Sequence, residues 1–188
     1  MNAKGNITSC DPIYSLADIA EIKDMLKDHP RNFALFVVGI NTAFRASDLA
    51  GLKVKDVIGL SPGSTFTVRM KKTKECIKVA VNVAVYYAIL PLIVDRGRDE
   101  WLFANKFGGQ LTTETIGRMV KEWCRKVGCK GRFSSHTLRK TFGYHALATF
   151  GHPIEHISEA YGHGDVRITR KYLCIQAESV KQVFMDEL

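Results

Sequence analysis

Five side chains in this sequence could do chemistry together: Arg45 and Arg139, His136 and His163, and Tyr172. They fall in three separated clusters. Arg45 lies in Thr42-Ala-Phe-Arg-Ala-Ser-Asp-Leu, and His136 and Arg139 share His136-Thr-Leu-Arg-Lys-Thr. His163 and Tyr172 lie in Gly162-His-Gly-Asp-Val-Arg-Ile-Thr-Arg-Lys-Tyr. The i, i+3 spacing of His136 and Arg139 places both on one face of a helix. Guanidinium groups are always charged and fork-shaped, which suits them to oxyanions. Imidazoles move protons near neutral pH, and a phenol oxygen is a nucleophile once its proton has left. Singly, each residue has a plainer explanation. A lone arginine is usually a surface ion-pair partner, and a lone tyrosine is usually half-buried core.

Taken in order, the clusters say more. Arg45 in TxxRxSDL, the pair in HxLRxT, the Gly-His step and a tyrosine nine residues after the histidine resemble the active-site signature of the tyrosine recombinase (phage integrase) family. The resemblance covers about residues 15–175. It implies a site-specific DNA recombinase or integrase that cleaves and rejoins DNA through a 3′-phosphotyrosyl intermediate. Tyr172 would be the nucleophile and Arg45 and Arg139 the clamp on the phosphate oxygens, with no metal or other cofactor needed for that stabilisation. His136 would assist proton movement and His163 would hydrogen-bond the phosphate. The family also uses a lysine on a hairpin of its small sheet as general acid for the 5′-oxygen. Lys72 fits that place best and Lys74 next, the plainer reading being a basic tip that merely tracks phosphates. Asp48 matches an acidic position that supports the first arginine, and Thr169, on the helix of Tyr172, reads as structural. Three positions depart from the family pattern: Ala43 where glycine is common, Tyr161 in place of an apolar residue, and Gly164-Asp165 where small hydroxyl residues are common.

Positioning these residues requires particular elements. Ser15 and Asp18 read as the cap and acidic first turn of a helix through Ile19, Ile22, Met25 and Leu26. Pro30 opens or precedes a buried helix running to about Phe44, followed by a short one over Ala46–Leu52. Val54–Leu60, Thr65–Lys71 and Cys76–Val81 alternate at period two, with Ser61-Pro-Gly-Ser as a turn, which predicts a three-stranded antiparallel sheet. Helical patterning resumes at Val83–Val94, Thr112–Val127, His136–Phe150, Ile154–Tyr161, Val166–Leu173 and Ala177–Met185. The expected fold class is α+β, mostly helical. Residues 1–14 read as a flexible N-terminal arm and 15–188 as one catalytic domain. Too few residues precede Phe33 for the N-terminal core-binding domain usual in the family, so an excised catalytic domain or a natural single-domain form is expected, the natural form being favoured.

Composition agrees with a nucleic-acid partner. Lys and Arg number 27 against 19 Asp and Glu, a balance of 27 − 19 = +8. The excess is concentrated between Arg69 and Lys78 and between Arg118 and Lys140. Lys71, Lys74, Arg132, Lys140 and Arg170 are the expected DNA contacts, and double-stranded DNA the expected partner. A tetrameric synapse is expected on DNA and a monomer or weak oligomer without it, with Gln176–Leu188 as a helix docking on a neighbouring copy. The odd count of five cysteines matches no zinc or redox spacing. His152 and His156 have Pro153 between them and no evident third ligand, so a metal site is not expected. Neither a signal peptide nor a membrane span is visible, and the expected location is cytoplasmic. Competing readings are a non-catalytic DNA-binding regulator on the same fold and a type IB topoisomerase, which shares the chemistry but needs no site.

Overall fold

The computed structural model describes residues 10–69 and 76–173. Helix α1 spans Leu16–Leu26, with the Ser15 hydroxyl accepting the Asp18 amide at 3.1 Å, as its cap pattern predicts. Helix α2, Pro30–Asn41, begins on a proline whose fixed φ suits the first turn. Residues 34–39 of α2 are all buried, so the helix has no solvent face there and is the axis of the main core. It ends three residues earlier than its apolar run suggests. Thr42 is extended, and its hydroxyl donates to the Val38 carbonyl. The non-helical stretch of residues 42–45 then delivers Arg45 to the start of α3, Ala46–Ala50.

The predicted first strand is a helix. Val54–Val57 forms α4, whose apolar residues Val54 and Val57 are buried three positions apart. The Asp56 carboxylate accepts the Lys53 amide at 2.8 Å and so caps it. Local capping and an i, i+3 apolar pair outweigh a period-two alternation that spans only a few residues. Among the described residues the sheet has two strands, β1 (Thr65–Arg69) and β2 (Cys76–Ala80), antiparallel with Phe66 opposite Val79. The hairpin tip, with Lys71, Lys72 and Lys74, lies outside the described residues.

Helix α5, Val83–Ile89, passes into a short 3-10 turn over Leu90–Leu92, where Pro91 interrupts α-helical bonding. Helix α6, Thr113–Lys126, buries Ile116, Val120, Trp123 and Cys124 and turns its charges outward. Three helices carry the remaining signature residues: α7 (Thr137–Ala148), α8 (Ile154–Tyr161) and α9 (Val166–Tyr172). A second, smaller core of Ala43, Ala146, Ile157 and Tyr161 packs beneath them, against Phe142, Tyr172 and Leu173. The expected helix over Ala177–Met185 lies outside the described residues. No described helix is long and apolar enough to cross a membrane.

Helix α7 is held against α2 at Gly39, where an added Cβ would lie 2.5 Å from Leu138 Cδ1. Alanine inside a helix ordinarily gains about 1 kcal/mol over glycine, but forcing a methyl into a packed core costs about 1–3 kcal/mol. Gly39→Ala should therefore lower stability in urea denaturation. A rise would mean that the α2–α7 contact yields.

Candidate active site

Arg139 is the centre around which the three clusters meet. It lies on the first turns of α7 and is 2% exposed. One guanidinium nitrogen donates to the Ala43 carbonyl, two residues before Arg45, and the other to the Tyr161 carbonyl at 2.8 Å, two residues before His163. The guanidinium also stacks on the Tyr161 ring at 4.3 Å, and the Tyr161 hydroxyl donates back to the Arg139 carbonyl at 2.7 Å. Tyr161 is fully buried, and a Cβ on Gly143 would overlap its hydroxyl, so glycine is required there for the ring to seat. A residue that sequence reading treats as a mere departure thus grips the arginine from three sides. Its signal was available: a large aromatic with a polar tip, directly before a Gly-His turn, needs a buried partner.

Gly162 ends α8 in the left-handed conformation, φ 61°, and turns the chain so that His163 points back inward. The His163 amide donates to the Ser158 carbonyl at 3.0 Å, and the imidazole Nδ1 is 2.8 Å from the hydroxyl of Thr169. Thr169 is fully buried on α9 and ties the histidine to the helix that carries Tyr172. This adds orientation of His163 to the structural role expected of it. The His163 and His136 rings lie 5.9 and 6.5 Å from the Tyr172 ring, centroid to centroid, and the Tyr161 ring 5.4 Å. The Arg139 guanidinium carbon is 6.0 Å from it. Tyr172 is itself half-buried, with its hydroxyl oxygen shielded from solvent.

Arg45 is half-buried at the head of α3, where the Asp48 carboxylate accepts its backbone amide at 3.1 Å. Asp48 is itself buried, so it fixes the backbone from which the arginine projects. Arg132 and Arg170 are exposed, as are Arg118 and Lys121 on α6. A groove of about 400 Å³ runs between Arg118 and Lys121 on one side and Ser134 and Ser135, just before His136, on the other. Lys140 differs from expectation. Instead of facing outward to a phosphate it is 1% exposed, and its ammonium donates to the Cys10 carbonyl at 2.8 Å. One helical position past Arg139 points into the protein, toward the N-terminal segment. Lys71, Lys72 and Lys74 lie outside the described residues, and none of the described ones forms a cluster of three metal-ligating groups.

Electrostatically the site is a desolvated pocket with excess positive charge. Burial, then the neighbouring Arg45, pull Arg139 down to about 10 despite the opposing influence of Tyr172, which leaves it a cation at neutral pH. Burial, followed by Arg139 and Arg45, pulls His163 down to about 4. Burial raises the Tyr172 phenol to about 12, with Arg139 and Arg45 opposing the rise. Two crowded guanidiniums and a neutral imidazole favour an incoming anion. Such a pocket can hold a tetrahedral oxyanion beside a phenol and stabilise charge that builds on it.

The chain belongs to the phage integrase family, whose model matches residues 12–179. It is 29% identical over 175 residues to a probable integrase/recombinase of Bacillus subtilis, YoeC, covering 92% of this chain and 94% of that protein. The tyrosine recombinase XerC of Myxococcus xanthus is 27% identical over 184 residues, which is 93% of this chain but only 59% of XerC. Among solved structures, the site-specific recombinase XerH bound to its palindromic difH substrate superposes with a TM-score of 0.73 at 18% identity, over 97% of this chain and 54% of that one. The fold is therefore that of the tyrosine recombinase catalytic domain.

Two outcomes test this geometry. The unfolded chain takes up a proton on His163 near the ordinary 6.5, whereas the folded site resists until about 4. The unfolded state thus binds more protons in that window, and stability should fall as pH drops from 6.5 toward 4. His163→Gln should flatten this slope in thermal melts; an unchanged slope would place the imidazole in water. Tyr161→Phe removes one buried hydrogen bond and should cost about 1 kcal/mol in chemical denaturation, with Tyr161→Leu costing more because the stacking on Arg139 goes too.

Proposed function

We propose that this chain is a site-specific DNA recombinase or integrase acting through a 3′-phosphotyrosyl intermediate. The observation that carries the reading is the placement of the Tyr172 ring between two histidine rings and 6.0 Å from the buried Arg139 guanidinium. Double-stranded DNA supplies the phosphodiester. Arg45 and Arg139 donate to its non-bridging oxygens, Arg139 through N–H groups beyond the two that hold the Ala43 and Tyr161 carbonyls. The Tyr172 oxygen attacks phosphorus while the bond to the 5′-oxygen breaks. The phenol proton leaves with help from His136, and the 5′-oxygen gains a proton from Lys72. Attack of a 5′-hydroxyl on the phosphotyrosine reverses the step and rejoins a strand, so no external energy source is needed. With the Thr169 hydroxyl donating to Nδ1, His163 keeps its proton on Nε2 and donates it to a phosphate oxygen.

Burial holds the Tyr172 phenol well above neutral pH until a phosphate arrives. On this reading the isolated chain is poised rather than active, and DNA completes the site. The exposed Arg132 and Arg170 and the groove beside α6, where Arg118 and Lys121 outnumber Glu114, support a phosphate-tracking surface. A tetrameric synapse on DNA follows from the same reading, since paired strand exchange needs two cleaved duplexes with two strands cut in each.

The test is covalent trapping. The chain is incubated with a pool of nicked duplexes of random sequence, in which a released short strand diffuses away and prevents rejoining. Wild type should accumulate a protein–DNA adduct that survives denaturation, and Tyr172→Phe should lose it by at least about a hundredfold, the scale of losing a nucleophile. Absence of adduct on duplexes that the wild type retains would favour a non-catalytic DNA-binding regulator.

A further inference from the structure

The segment before α1 is bound along α7 in a way that the proposed chemistry does not use. Residues 10–14 run extended across successive turns of that helix. The Asp11 amide donates to the Arg132 carbonyl at 2.7 Å, and its carboxylate accepts the Arg132 amide at 2.8 Å. Its carbonyl accepts the Thr137 hydroxyl at 3.0 Å. The Ile13 amide donates to the Thr141 hydroxyl oxygen at 2.9 Å, and the Ile13 carbonyl meets His145 Nε2 at 2.9 Å. Ile13 itself is buried in the main core, and Tyr14 packs edge-on against Tyr144 at 4.9 Å. Such a strap, bonded at each turn with Ile13 in the core, makes residues 10–14 an ordered part of the domain rather than the flexible arm expected from the sequence.

At its head the strap reaches the site. The Cys10 carbonyl accepts the Lys140 ammonium at 2.8 Å, and the same ammonium lies 5.3 Å from the centroid of the Tyr172 ring. A buried ammonium goes where it is hydrogen-bonded, because leaving it unheld in the interior is costly. A backbone carbonyl of the strap is therefore one of the groups that hold Lys140 in place. Its charge beside the phenol ring holds that ring by a cation–π contact.

We propose that Lys140 is a positioning residue for Tyr172 and that the strap of residues 10–14 fastens it, so that the nucleophile senses whether the N-terminal segment is docked. This rests on Tyr172 being the nucleophile. Whatever displaces the strap withdraws the carbonyl from Lys140 and loosens the ring. Events N-terminal to α1 then change cleavage without touching Arg45, Arg139 or either histidine.

The experiment uses the full chain with fluorotyrosine in place of tyrosine, the residue 172 signal being assigned by Tyr172→Phe. Fluorine NMR is read alongside the single-turnover rate of adduct formation on the duplex recovered from the nicked pool. Lys140→Met keeps the stem and removes the charge. Thr141→Val loosens the strap at Ile13 without altering Lys140 or Tyr172. Both should shift the Tyr172 resonance and slow adduct formation roughly tenfold, with DNA retention unchanged. Lys140→Arg should recover most of the rate. An unmoved resonance and an unchanged rate in a cooperatively folding Lys140→Met chain would overturn the role of Lys140. A response to Lys140→Met but none to Thr141→Val would overturn the strap. Should Lys140→Met fail to fold, Thr141→Val and Asp11→Ala give the same comparison. If the wild type forms no adduct on DNA that it retains, the nucleophile reading has failed, and the fluorine spectra still decide whether strap and lysine hold Tyr172.

Discussion

A single guanidinium, shared between two main-chain carbonyls, holds the site together. Arg139 takes the Ala43 carbonyl on one side and the Tyr161 carbonyl on the other, joining the end of α2 to the end of α8 through the start of α7. Each carbonyl stands two residues ahead of a signature residue, Arg45 or His163. Burying a cation this deeply is unfavourable unless its donors are met. Here they are met by backbone, and the stacking of Tyr161 closes the remaining face. Three clusters distant in sequence become neighbours because this charge has nowhere else to go.

The electrostatic state of the pocket follows from that arrangement. Burial comes first for both Arg139 and His163, Arg45 adds to the depression of Arg139, and the two arginines add to the burial that keeps His163 neutral. Tyr172 feels the same cations in the opposite sense, yet burial dominates and keeps its proton on. Cationic groups that repel one another in a buried site favour an anion, and on the proposed reading the free energy released when one enters would be available for ionising the phenol. Ion pairing and desolvation thus act in sequence rather than in competition. The surrounding elements serve this pocket: Gly162 turns His163 inward, Thr169 holds its ring, and Asp48 anchors the backbone of Arg45.

Much of this was legible in the residues. The i, i+3 pair His136 and Arg139, the Ser15 cap and the apolar run of α2 each obey a local rule that tertiary context did not override. Val54–Leu60 misled because alternation over a few residues looks alike in a strand and in a capped turn with valines at i and i+3, and only the Lys53–Asp56 bond separates them. Lys140 misled because charge implies solvent by default, while its helical position, adjacent to a fully buried arginine, faces the strap. Tyr161 was noticed as unusual but not as necessary: its use depends on the close approach of Gly143, and spacing along the chain does not reveal a gap between helices. Local pattern reports which face an element turns inward. It does not report what waits on the other side.

The double use of Arg139 has a consequence for how a lineage carrying this domain can decay. An arginine that only bound substrate could be lost silently once its activity was no longer selected, leaving a stable inert protein. This one cannot, because without it two buried carbonyls lose their donor, Tyr161 loses the cation it stacks on, and the smaller core opens. Tyr172 is less constrained, since phenylalanine would fill the same space and forgo only the interaction of the hydroxyl with Arg139. On the proposed reading, inactive descendants should therefore keep the arginine and shed the hydroxyl, so that persistence of Arg139 in a relative would record an intact fold, and only the phenol would record a working enzyme.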